Sequence, residues 1–130
     1  MNLLCYGKPQ EKICLHFFPC KNSGENITWE EWHIAEPLVV YISDYRPLLL
    51  PYFNKVFPLI DPANGKMQES FDECWDNWIG FNDWNRITDL IKKDIPFMQN
   101  EQEITFFHVF LTWIEKQWER FDIIVVDGNL

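Results

Sequence analysis

Glycine is scarce in this chain, five residues in 130, and none lies in a Gly-x-Gly-x-x-Gly or Gly-Lys-Ser/Thr pattern. That excludes the glycine-rich loops whose backbone amides cradle phosphates. There is no Cys-x-x-Cys pair, the usual half of a zinc site. Basic residues are few, 11 Lys and Arg against 20 Asp and Glu, for a net charge of −9. Such a chain is repelled by nucleic acid and by anionic membrane surfaces, and is drawn to cationic partners. No apolar run approaches the ~18 residues that span a bilayer. The opening MNLLCYG lacks a basic n-region, and its apolar run is too short for a signal sequence. Leu3-Leu4-Cys5 has the look of a lipoprotein cleavage box, but no leader of normal length fits ahead of it. The expectation is a soluble, cytoplasmic, monomeric protein with reduced thiols. In that compartment the acceptor triplet Asn26-Ile27-Thr28 carries no glycan.

Aromatic residues, by contrast, are abundant: seven Trp and eleven Phe in a chain that is 47% hydrophobic. A chain of this length builds one core without staples, and some of these rings must fill it. No repeat, low-complexity stretch or linker divides the sequence, so residues 1–130 are expected to form a single domain.

The patterning predicts an α+β fold, a small sheet packed against a long amphipathic helix and shorter helices. Residues 12–18 form an apolar, aromatic run closed by Pro19, the pattern of a buried strand. A turn follows over 21–26. Thr28 and Glu31 form a capping box for a short helix reaching Ala35. Residues 38–42 read as a strand, and 46–58 as an irregular helix or loop, because Pro51 removes an interior hydrogen bond. Asp61-Pro62-Ala63-Asn64-Gly65 is a turn, after which partial alternation suggests a strand over 66–75. Asn82 caps a helix running to Pro96, with Trp84, Ile87, Leu90 and Ile91 at helical spacing. Asn100 and Glu103 cap the longest helix, whose stripe is Ile104, Phe107, Leu111, Ile114, Trp118 and Phe121. Residues 123–126 form a last buried strand, and 127–129 turn out to solvent.

Three constellations bear on chemistry. Cys14 and His16 share a strand face, with Cys20 downstream and Cys5 upstream, but bulky apolar residues surround them and the spacing is not that of a zinc site. A thiol enzyme would need one of the cysteines paired with His16, His33 or His108, and none has a nucleophile's setting. His108, beside Phe107 and Val109, reads as a structural histidine. The acid pairs Glu30-Glu31 and Asp72-Glu73 have Trp neighbours, yet adjacent acids diverge on a strand or helix and a glycosidase needs a deep cleft. No metal, cofactor or catalytic group is expected.

A different signal is concentrated in residues 69–89. Six carboxylates, Glu69, Asp72, Glu73, Asp76, Asp83 and Asp89, face one base, Arg86, which accounts for −5 of the −9. Phe71, Trp75, Trp78, Phe81 and Trp84 are interleaved with them. Carboxylates steer a cationic partner and desolvated rings anchor it. The plainer reading turns the rings inward and leaves the acids as a solubilising shell. The expected binding residues are Glu69, Asp72, Glu73, Trp75, Asp76, Trp78, Asp83 and Trp84, since so short a connection buries Trp78 and Trp84 together only by folding over the core.

The stretch 71–84, FDECWDNWIGFNDW, in a small acidic α+β chain resembles the bacterial immunity proteins of polymorphic toxin systems, including contact-dependent growth inhibition. The resemblance implies a cytoplasmic protein that binds a cognate toxin domain, often a basic nuclease, and blocks its active site or an essential surface. Two alternatives stand beside it: a regulatory module for another cationic protein, and a small enzyme built on Cys and His.

Overall fold

The computed structural model describes residues 3–5, 10–21 and 36–130. The strands are β1 (Leu3–Cys5), β2 (Cys14–Cys20), β3 (Leu38–Tyr41), β4 (Leu59–Ile60), β5 (Met67–Gln68), β6 (Asp76–Gly80) and β7 (Ile123–Gly128). The helices are α1 (Ile42–Leu48), α2 (Leu50–Val56), α3 (Phe81–Asp94) and α4 (Glu101–Gln117). Five strands form one antiparallel sheet in the order β1-β3-β2-β7-β6, and β4 with β5 makes a separate hairpin. The architecture is α+β, as the patterning predicts.

Strand alternation sends apolar side chains to both faces of this sheet. Leu15, Phe17, Val40, Ile79, Ile124 and Val126 face the helices. There Phe17 meets Phe110 edge-on at 5.5 Å, and Trp84 lies 6.1 Å from Phe17 and 6.0 Å from Phe53. On the other face Phe18, Cys20, Trp78, Ile123 and Val125 form a second buried cluster, with Ala63 packed against it. Cys14, Val39 and Tyr41 form a third. Both faces therefore carry buried apolar clusters.

The boundaries differ from the sequence-based expectation where local hydrogen bonds override periodicity. β2 continues through Pro19 to Cys20. β3 pairs only as far as Phe17, so Pro19 has a ladder neighbour on one side alone and its missing N–H is tolerated. The region of 46–58 is two helices broken at Leu49, which places Pro51 in the first turn of α2, where no intrahelical donor is needed. The strand expected over 66–75 shrinks to Met67–Gln68, and the sheet strand starts at Asp76. Asn100 caps α4 as its sequence suggests, its Oδ1 accepting from Gln102 N and Glu103 N. α4 ends at Gln117, short of Phe121, and β7 absorbs Asp127 and Gly128. The expected 28–35 helix, most of the 21–26 turn, Glu30-Glu31 and His33 lie outside the described residues.

Candidate interaction surface

The acidic segment is a tightly tied loop followed by a strand and a helix. Phe71 anchors the loop, stacked on Phe53 at 4.5 Å and edge-on to Phe57 at 5.7 Å. Asn77, 2% exposed, holds it from below. Its Oδ1 accepts from Asp72 N at 2.8 Å, and its Nδ2 donates to the carbonyls of Asp72 (2.8 Å), Trp75 (3.3 Å) and Val126 (3.0 Å). Asp72 Oδ1 in turn accepts from Cys74 N at 2.8 Å. These side-chain bonds to backbone compete with strand pairing, so residues 69–75 bulge away from the sheet.

Two further ties fix the loop to the rest of the fold. Glu73 Oε1 accepts from both Tyr45 Oη and Arg46 Nε at 2.9 Å. The guanidinium of Arg46 holds the Glu73 carboxyl below its ordinary range, against the opposing effect of burial. Burial first, then Glu73, pushes the Tyr45 hydroxyl up, so it remains a donor. On the other side Gly128 N donates to Trp75 O at 3.0 Å and Leu130 N to Glu73 O at 3.1 Å. A Cβ on Gly128 would sit 2.1 Å from Glu73 O, so only glycine permits this approach.

The eight expected binding residues separate into distinct environments. Trp75 is 68% exposed at the end of the loop, and Glu69 and Asp72 are exposed beside it in sequence. Glu73 is occupied by Tyr45 and Arg46. Asp76 is half-buried, accepts from Trp78 Nε1, and stands directly opposite Asp127 in the β6–β7 ladder. Asp83 pairs with Arg86 at 3.0 Å. Trp78 and Trp84 depart from expectation: they are 9% and 0% exposed. The chain has no need to fold over itself to bury both. Trp78 points to the far face of β6, whereas Trp84, one turn into α3, points to the helical side and donates to Ile124 O at 3.2 Å. Neither ring is available to a partner, and both belong to the core.

The residues that build the loop are not evident from the sequence. Asn77, Tyr45, Arg46 and Gly128 lie in no motif, and no local sequence signal marks them. Gln68 is another: its Oε1 accepts from Trp78 N at 3.0 Å and its Nε2 donates to Trp78 O at 2.9 Å, closing the outer edge of β6.

The Cys–His constellation does exist in space. Cys14 Sγ lies 3.7 Å from His16 Nδ1, and His16 faces Asp127 across the β2–β7 ladder. Burial raises the Cys14 thiol, partly offset by Asn129, and lowers His16, partly offset by Asp127. Those shifts favour a neutral thiol beside a neutral imidazole, the reverse of an activated nucleophile. Cys14 is 0% exposed. Among the described residues, no group of three or more His, Cys, Asp or Glu side chains is placed to hold a metal. His108, expected to be structural, is exposed on α4. No described helix is long and apolar enough to cross a membrane.

No family model, curated protein or solved structure matches the chain.

Proposed function

We propose that this protein is an immunity protein, binding and neutralising a basic toxin domain, a nuclease by the logic of charge. One observation carries the reading: Trp75, 68% exposed, stands on a loop bound at both ends rather than on a flexible one. The backbone carbonyl of Trp75 is held by Asn77 Nδ2 and Gly128 N, so the exposed indole projects from a preorganised backbone that has little entropy left to lose on binding. In the same segment Glu69 and Asp72 are exposed carboxylates. The surface is accordingly smaller than the residue pattern suggested, with Trp75 as its ring and Glu73 as its support. Inhibition is stoichiometric: the carboxylates pair with cations the toxin uses to hold phosphate, and Trp75 fills a pocket between them. It calls on no cofactor, metal or catalytic group.

The test is protection of growth when the chain is co-expressed with the basic toxin domain encoded beside it. Wild type protects, and Trp75→Ala with Glu69→Lys loses protection while its thermal melt is unchanged. Full protection by that double variant removes the loop from the interface. Failure of the wild type to neutralise the toxin overturns the reading itself.

A further inference from the structure

From the outer face of α4 we infer that the protein self-associates as an antiparallel, two-fold dimer through this helix, a step independent of toxin binding. The exposed positions along that face are Glu101, Thr105, His108, Val109, Thr112 and Lys116. In a chain of net charge −9, the middle of this face carries no carboxylate, lysine or arginine. Val109, 44% exposed, forms a ridge between two open grooves. One, of about 460 Å³, includes Leu3, Phe106 and Glu101; the other, of about 370 Å³, is lined by His108, Val109, Thr112, Trp113 and Lys116.

The charges at the two ends identify the occupant. Glu101 lies at the start of the stripe and Lys116 at its end, and among the described residues neither is in an ion pair. Glu115, beside Lys116, is already taken by Lys92 at 2.6 Å. A two-fold axis passing between His108 and Val109 sets each residue against the one whose number completes the same sum. Glu101 then meets Lys116 of the second copy, Thr105 meets Thr112, and Val109 meets His108. Both ends are thus complementary at once, and the antiparallel helix dipoles agree with them. Val109 of each copy enters the groove formed by His108, Thr112 and Trp113 of the other, a knob seated in a hole. The surface complements itself, as a two-fold contact must. A single helix pair buries less than the roughly 1,200 Å² of a standard interface, so the dimer forms at micromolar concentration or above. This departs from the monomer expected of an inhibitor that needs only one exposed face.

Sedimentation equilibrium over a concentration series to roughly 0.5 mM tests it. The weight-average mass is expected to rise from 15.7 kDa toward twice that value. Val109→Lys should remain at 15.7 kDa throughout with an unchanged circular-dichroism melt. Glu101→Lys and Lys116→Glu, made singly, should each weaken association about tenfold, since each places two like-charge contacts in the dimer. Combined in one chain they restore complementarity and the wild-type constant. A mass that stays at 15.7 kDa, or a double reversal no tighter than the single ones, overturns the inference.

Discussion

The side-chain amide of Gln68 pairs with both backbone groups of Trp78, at 2.9 and 3.0 Å, and so stands in for a strand along the outer edge of β6. β6 is the last strand of the sheet on that side, and an unpaired edge invites pairing with another chain. Gln68, the last residue of β5, thus closes this point of the edge with its side chain.

Replacing Gln68 with Ala should cost about 1–2 kcal/mol, the loss of two partly buried hydrogen bonds. Aggregation on heating should rise with it. Urea unfolding and light scattering during a thermal ramp measure the two effects, and Gln68→Glu should destabilise as well, because a carboxylate cannot donate to Trp78 O.

Asn77 should matter more. It satisfies one amide and three carbonyls from a buried position. Asn77→Ala leaves these groups unpaired and is expected to cost about 2–3 kcal/mol. Hydrogen exchange should accelerate at Asp72 and Cys74 ahead of the sheet amides, because the loop is what Asn77 holds.

Gly128 offers a steric version of the same test. Its missing side chain admits Glu73 O to within 2.1 Å of the Cβ position, a separation that backbone atoms cannot keep. Gly128→Ala should push the loop off β7 and lower stability by about 1–3 kcal/mol. Chemical shifts of Glu73 and Trp75 should move most.

Acid should loosen this loop through Glu73. Its folded carboxyl lies below the ordinary value, so the contribution is present above the unfolded value of about 4.3 and is lost as pH falls through the lowered one. Subtracting the stability of Glu73→Gln from that of wild type should therefore give a difference that is flat near neutrality and shrinks below roughly pH 4.3. A difference that grows on acidification would contradict the ion pair with Arg46.

The longer elements were legible in the sequence because their signals are contiguous. α3 and α4 repeat apolar residues at threes and fours, and Asn100 announces its cap. The two tryptophans were not legible, because their directions depend on where β6 becomes α3. With the boundary between Gly80 and Phe81, Trp78 obeys a two-residue period and Trp84 a 3.6-residue period, and they end in different cores. Residues 69–75 form a loop where alternation over 66–75 suggests a strand, for a related reason. Alternation records which side chains are apolar, but Asp72 and Asn77 spend their hydrogen bonds on backbone that a strand would have needed. Of the three expected tryptophans only Trp75 stays in water, and no local pattern distinguishes it from Trp78 and Trp84.

The proposed capture of a cationic protein by Trp75 and the carboxylates of its segment is tested most directly by association kinetics with the toxin domain neutralised in the growth assay. Trp75→Ala should leave stability within about 0.5 kcal/mol of wild type, as befits an exposed ring. Trp84→Ala should cost about 3–5 kcal/mol by emptying the core. Against the toxin, Trp75→Ala should raise the dissociation rate at least about thirtyfold, the scale of a binding hot spot. Wild-type association should slow steeply with added salt, and Glu69→Lys should flatten that dependence. Unchanged dissociation in Trp75→Ala, together with salt-independent association of the wild type, would contradict capture through this loop.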